Sequence, residues 1–569
     1  MSHLRFPDDA DVTKLDLIPE DRWCEHCGGY LTVCRTKRRY VWSKAGATQL
    51  VIRLVHCTTP ECPDFGKTVG RELEHAVALP YWSVTWDVFS WMGHRRFVRH
   101  WSVPQLVAEL NDRYGIGASA DWVEDYLRVY QIMVYAHESD TTTWAAEYES
   151  HQDVILTIDG LQPEKGHETL YVVRELRSGR VWFAVPLLSS STEEVTRLFK
   201  RAAAIAHSIG KPVRCWMSDK QAAFVKGIED VFPQVPHRYC ANHFLRDLAK
   251  PVREMDSHAK VQMRRKVRGL REIEKRTLAR VEAIRAAEQT KAEELHSTLD
   301  SDCIGRDLPA NACQSELVER DQVVLDYCAS VRGILNDDQG GPLHPAGLRM
   351  AEALLEVNQS IKRSLASDDS PTDSALNALS NCIEAGVEIV SEQLVQVATY
   401  TDTIIQVENL LNPEHGTSRA RKAKFKRLSA KLLRSLDPTY VHMGKTMQSF
   451  SKGLFAGNDD LDLPVDNLDL ERAFRLPKSH ERHIHGRAHA GVRIVQQGAT
   501  LMLVLDGHAR HPEQFDVKEL LPYAHAGVPE VQLQSEYRRK TMSQARSSKR
   551  RHELLTGLEF RYHNATHCT

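Results

Sequence analysis

Between residues 153 and 252 short apolar runs alternate with amphipathic stretches, and this is the clearest pattern in the chain. The run 154–158, Val-Ile-Leu-Thr-Ile, suits a buried central strand, while 168–177 and 180–187 alternate with period two around Ser178-Gly179 and predict a hairpin. Helical spacing follows over 192–209. A fourth strand at 213–218, a helix at 221–232, a short strand at 237–240 and a helix at 242–249 complete the series.

Three antiparallel strands, a helix, then parallel strands separated by helices is the element order of an α/β ribonuclease H-like core. Upstream, 31–42 and 49–56 predict a strand pair, and helical patterns at 101–110 and from 119 onward flank a turn at 115–117, the helix-turn-helix layout. An ordinary helical hairpin is the alternative there, because Asp121, Glu124 and Asp125 on the second helix would repel a phosphate backbone. Downstream, Met263, Val267 and Leu270, continuing after an offset to Val281 and Ile284, predict one long amphipathic helix. Further helices are expected over 351–365 and 376–411, separated by breaks at 340–342 and 367–371. The plan that results has a zinc ribbon at 1–75, a helix-turn-helix region at 80–140 and a catalytic core from 150–250 with 460–510. A large all-α insertion occupies 251–459, and a basic extension 511–569.

The 569 residues carry a net charge of −2, so a nucleic-acid partner has to be met by local clusters rather than by an overall basic coat. Four basic segments stand out. Arg95 and Arg96 lie in the basic stretch 94–100. Arg421, Lys422, Lys424, Lys426 and Arg427 lie in 419–434, which has no acidic residue, and shorter basic runs recur at 538–540 and 549–551. The amino terminus has no apolar signal core and no later stretch is long and apolar enough to cross a bilayer. The expectation is therefore an intracellular protein, cytoplasmic and nucleoid-associated, with no membrane partner.

Of 12 cysteines, five fall between Cys24 and Cys62. Cys24-x-x-Cys27 and Cys57-x4-Cys62, joined by the strand pair, bring four thiolates to what would be a closed tetrahedral structural Zn2+ site; Cys34 and His56 are spare candidates. The chemistry of the central region lies in its acids. Asp159 ends the first strand and Asp219 ends the fourth, so the element order sets them side by side at strand ends. Phosphodiester cleavage with two Mg2+ or Mn2+ ions about 4 Å apart needs such shared carboxylates and few other protein ligands.

Thr157-Ile-Asp159-Gly160, Met217-Ser-Asp219-Lys-Gln-Ala222, Pro236-His-Arg-Tyr-Cys240-Ala-Asn-His243-Phe244 and Asp466-Asn-Leu-Asp-Leu-Glu471-Arg472 resemble the DDE transposases of bacterial insertion sequences, particularly the Mutator-like group with its C-x-x-H signature. The resemblance implies that Asp159, Asp219 and Glu471 hold the catalytic metals. It also implies metal-dependent cleavage of element ends and strand transfer into target DNA, with double-stranded DNA as partner and a homo-oligomer on that DNA. Locally, Glu471 falls in the first turns of a helix that Asp466 or Asn467 would start. Arg475, Lys478 and Arg482 follow at near-helical spacing for phosphates, with Pro477 ending or kinking that helix. Asp469 and Glu481 compete for the third position. Cys240 and His243 read as a structural or DNA-positioning pair, with a metal role as the alternative, and the histidines 480, 483, 485 and 489 read as a DNA-facing surface. A non-catalytic DNA-binding regulator that uses only the amino-terminal modules, and a nuclease that cuts without joining, are the competing functions.

Overall fold

The ends of the predicted elements are where the computed structural model departs most from the sequence pattern. It describes residues 4, 6, 12–162, 167–298, 310–366, 374–457, 463–486 and 491–566. The chain separates into two units, Met1–Arg238 with Asp466–Thr569, and Tyr239–Val465. Among the described residues no helix is long and apolar enough to cross a membrane.

The first unit begins with a small mixed sheet. β1 (Thr13–Leu17) runs parallel to β3 (Gly46–His56), which pairs antiparallel with β2 (Thr32–Ser43) and with the short β4 (Thr68–Val69). The expected pair is present and extends to a tight turn at Gly46, whose φ of 126° few other residues adopt. After α1 (Arg71–Val77) and α2 (Trp86–Phe97), α3 (Val103–Tyr114) starts at a Ser102–Gln105 capping box and stops at Gly115, whose φ is 66°. α4 (Ala120–Ser139) starts at the Ser119 cap.

Both helices of the proposed helix-turn-helix therefore form, but the second is built into the core. Trp122, Val123, Tyr126, Leu127, Tyr130, Met133 and Val134 pack with Phe89 and Phe97 of α2 and with Leu501, Val504 and Leu505. What α4 leaves exposed at its start is Asp121, Glu124 and Asp125. That exposed start is acidic and unsuited to phosphate.

Beyond α5 (Ala145–Tyr148), β5 (Val154–Leu161), β6 (Thr169–Glu175) and β7 (Val181–Leu187) form an antiparallel meander. α6 (Thr192–Ser208) then crosses to β8 (Val213–Ser218), parallel to β5, and α7 (Ala222–Val231) leads to β9 (His237–Tyr239). The sheet order is β7-β6-β5-β8-β9. Because side chains alternate along β5, Val154, Leu156 and Ile158 enter the core under α6 and α7, while Thr157, Asp159 and Leu161 take the opposite face.

The second unit is helical: α8 (Ala241–Leu248), α9 (Lys250–Lys266), α10 (Leu270–Thr298), α11 (Ala310–Asn336), α12 (Ala346–Leu365), α13 (Ser374–Glu388), α14 (Ser391–Leu411), α15 (Ser418–Leu433) and α16 (Pro438–Leu454). Two expected single helices are each broken in two. The first breaks at a 3₁₀ turn, Val267–Gly269, where Val267 enters the core against Gly386 and Gly269 lies against Cys382. The second breaks between Glu388 and Ser391, where Val390 is buried. The expected break at 367–371 lies outside the described residues.

The chain returns to the first unit with α17 (Leu468–Ala473), α18 (Arg475–His485), α19 (Gly491–Arg510), α20 (Val517–Leu520), α21 (Glu530–Arg546) and α22 (Ser548–Thr566). Leu470, Ala473, Phe474, Ile494, Met502 and Leu503 cover Leu161, Leu170, Val172, Val181 and Ala184, closing the second face of the five-stranded sheet. The expected interruption near Pro477 falls earlier, between α17 and α18 at Phe474. Pro477 then occupies the first turn of α18, where a missing N–H costs no helical bond.

Candidate functional site

The four paired cysteines converge. Cys24 and Cys62 Sγ stand 3.6 Å apart, as do Cys27 and Cys57, and all four sulfurs lie within 4.8 Å of one another. A tetrahedron with Zn–S bonds of about 2.3 Å has edges of about 3.8 Å, so the set fits one zinc ion with no open position. Tight turns aim the thiols: Gly28 N donates to Cys24 O and Cys24 N to Gly29 O, both at 2.8 Å. The Gly29 N–H and the Thr59 hydroxyl hold the Cys27 thiol down to about 6. Cys62 is pushed up to about 12: the Asp64 N–H favours its thiolate, but burial and three neighbouring thiols outweigh it. Were all four to ionise, thiolates this close would need a cation between them. Cys34, a spare candidate, instead bonds Leu54 O from the bulge in β2 at 3.3 Å.

The acids are positioned by the sheet. Pairing of β5 with β8 keeps a constant offset, 155 with 215, 156 with 216 and 157 with 217, and continuing it sets Asp159 beside Asp219. Both are half-buried, on the face opposite the α6 and α7 core. Each is braced locally: Asp159 Oδ1 accepts from Gly160 N at 2.7 Å, and Asp219 Oδ1 from Gln221 N at 3.0 Å.

α17 brings Glu471 to Asp159. Asn467 O accepts from Glu471 N at 3.2 Å, and Asp466 Oδ1 takes Leu468 N at 3.1 Å, so the segment starts its helix as the sequence suggests. Thr157 Oγ1 donates to Asn467 Oδ1 at 2.7 Å, and both residues are fully buried. From β6, Arg174 donates to Asp469 O at 2.9 Å. Carboxylate oxygens of Asp159 and Glu471 come within 4.8 Å of one another. Asp219 is not part of that close set.

The two competing acids, Asp469 and Glu481, lie in other surroundings. Asp469 is exposed and pairs with Arg472 at 3.3 Å. Glu481 is buried on α18, where burial raises its carboxyl and Arg493 and Arg96 lower it. The bond between Thr157 and Asn467 is what sequence reasoning missed, although Asn467 was expected at the helix start. Its further signal was a lone hydroxyl in an apolar strand.

The basic residues divide into exposed and buried sets. Arg475, Lys478 and Arg482 are exposed along α18, and Lys424, Lys426 and Arg427 along α15, with Lys422 half-buried. Arg421 departs from the expected phosphate role: it is buried and donates to Leu410 O, Leu411 O and Gly416 O, tying down the end of α14. Arg96 departs likewise. Its guanidinium is buried, held down to about 10 by that burial, and donates to Trp101 O at 2.9 Å; Arg95, half-buried, lies over the Trp91 and Trp101 rings. Arg538 and Arg539 belong to α21 and pair with Glu168 at 3.1 and 3.5 Å, while Lys540 of α21 and Lys549, Arg550 and Arg551 of α22 are exposed.

The histidines are not a single surface. His480 is buried, stacks on Phe97 and meets His100 Nδ1 at 3.0 Å, while exposed His483 stacks on His100. His489 and Arg487 lie outside the described residues. In the second unit Cys240 is fully buried at the N-cap of α8, on which His243 follows one turn later beside the core residue Phe244.

No protein-family model matches the chain, and no curated protein matches it.

Proposed function

We propose that the chain is a DDE-type transposase with a ribonuclease H-like core, in which Asp159, Asp219 and Glu471 act on phosphodiester bonds of double-stranded DNA. One observation carries the reading: the carboxylates of Asp159 and Glu471 approach within 4.8 Å, although they belong to elements separated by the whole second unit. The strand order, with antiparallel β7-β6-β5 followed by parallel β8, supports the fold assignment, because Asp159, near the end of β5, and Asp219, just after β8, belong to neighbouring strands.

The residues divide the work by chemistry. Asp159, Asp219 and Glu471 would hold Mg2+ or Mn2+, and cations bound there supply charge neutralisation at the attacking and leaving oxygens of an in-line displacement. Thr157 and Asn467 fix the helix that carries Glu471. Arg475, Lys478 and Arg482 offer exposed cations for backbone phosphates, and the α15 cluster offers a second set. The cysteine module would hold structural zinc.

The test is cleavage and strand transfer on duplexes drawn from the DNA flanking the coding segment, with and without Mg2+. The expected result is Mg2+-dependent cutting and joining by the parent chain, and binding without products by Asp159→Asn and Asp219→Asn. Full cleavage by either variant sinks the catalytic assignment. Sequence-selective binding without any product from the parent would instead indicate a DNA-binding regulator.

A further inference from the structure

Asp219 lies just past the end of β8, in the link 219–221 that leads to α7, and the register of β8 with β5 runs only to Met217. A carboxylate on such a link is well aimed only when the peptide groups around it are held. Two side chains reach it from behind. Ser218 is fully buried and its hydroxyl donates to Asp219 O at 2.7 Å, while Nε2 of His237, the first residue of β9, lies 2.8 Å from the same Ser218 Oγ. Ahead of it, Gln221 N donates to Asp219 Oδ1.

Proton counting gives this chain of bonds a direction. A carbonyl oxygen only accepts, and a hydroxyl has a single proton, so the Ser218 proton goes to Asp219 O. The hydrogen between His237 and Ser218 Oγ therefore belongs to Nε2, and the imidazole donates. Donors placed in series polarise one another, so the bond from His237 strengthens the one that Ser218 makes to the Asp219 carbonyl. Main-chain pairing delivers the imidazole to this position: β9 neighbours β8 in the sheet, and Trp216 N donates to Pro236 O at 2.9 Å, one residue before His237.

We propose that His237 is a positioning residue for Asp219, acting through Ser218 on the peptide group that aims the carboxylate. The inference rests on the reading of Asp219 as a metal ligand and adds to it the device that holds that ligand still. Groups that hydrogen-bond a metal ligand set its orientation, and their loss typically lowers metal affinity about 10–100-fold. Without the imidazole, Ser218 Oγ keeps its bond to Asp219 O but loses the donor that fixes the direction of its hydroxyl. The Asp219 peptide group then loses its brace on the β9 side.

The test is Mn2+ titration of the full zinc-loaded chain by electron paramagnetic resonance, well below the unfolding temperature, with zinc content and thermal unfolding recorded for every variant. His237→Leu, which removes the donor, and Ser218→Ala, which removes the relay, should each weaken Mn2+ binding by about tenfold or more. His237→Gln, whose amide sets an N–H near the place of Nε2, should restore most of the lost affinity. The double variant should bind no more weakly than Ser218→Ala, because the two residues act as one chain. A purely structural role would lower the unfolding temperature and leave the Mn2+ affinity of the folded chain unchanged, and that result overturns the proposal. Equal weakness of His237→Leu and His237→Gln overturns it too, since the packing of the ring rather than its N–H would then be at work. Asp219→Asn tells the two levels apart. If it loses Mn2+ while His237→Leu binds like the parent, the metal site stands and the positioning role falls; if Asp219→Asn itself binds like the parent, both fall.

Discussion

Thr157 Oγ1 and Asn467 Oδ1 meet at 2.7 Å in the interior, across 310 positions of sequence. The bond fastens α17 to the central strand two residues before Asp159 and four residues before Glu471, so it sets the distance between the two acids. Thr157→Val keeps the shape and removes the bond. The expected outcome is a loss of about 1–3 kcal/mol in urea unfolding, together with weaker Mn2+ binding, whereas Thr157→Ser should retain both.

The zinc reading predicts one tightly held zinc per chain, with the sheet around β2 and β3 depending on it. Cys27→Ala or Cys57→Ala should abolish zinc in elemental analysis and leave β2 and β3 amides open to hydrogen exchange. The five-stranded sheet should stay protected.

Arg421 and its neighbours separate packing from DNA binding. Arg421→Ala removes the buried bonds at the end of α14 and should cost about 1–3 kcal/mol of stability. Lys424→Ala with Lys426→Ala and Arg427→Ala should leave stability unchanged while lowering the log–log salt slope of duplex binding by about 0.9 for each phosphate no longer neutralised. Differential scanning fluorimetry and anisotropy at several salt concentrations distinguish the two outcomes.

Glu138 gives a pH prediction. Burial would raise its carboxyl, but His137, Arg510 and Arg180 outweigh it and bring it from 4.5 to about 2. Because the folded value is depressed, the stabilisation is present above the unfolded pKa and is lost as pH falls from about 4.5 towards 2. A shift of this size corresponds to roughly 3 kcal/mol. Glu138→Gln should flatten that part of the stability–pH curve, measured by urea unfolding at pH 3 to 7.

The sheet was legible because each of its strands announces itself locally: β8 matches its expected bounds residue for residue, and the β6–β7 turn lies at Ser178-Gly179. The cysteine cluster was legible for the same reason, since two close pairs on a strand hairpin leave little geometric freedom. What sequence could not supply was tertiary burial. Nothing in the basic runs distinguishes Arg96 and Arg421, which cap backbone carbonyls inside the protein, from exposed Lys424 or Arg482. α4 has the spacing of a recognition helix, yet Trp122, Tyr126 and Tyr130 place it in the core. The break at Phe474 was masked by Pro477, which reads as a helix stop but serves in the first turn of α18.

The central claim is that Asp159, Asp219 and Glu471 form one divalent-metal site, and Mn2+ titration followed by electron paramagnetic resonance addresses it without requiring the DNA substrate. The parent chain should bind two Mn2+ with the spin coupling of adjacent ions, and Asp159→Asn and Glu471→Gln should each abolish the coupled signal while leaving zinc content intact. Mn2+ binding that is absent from the parent, or unchanged in both variants, would contradict the account.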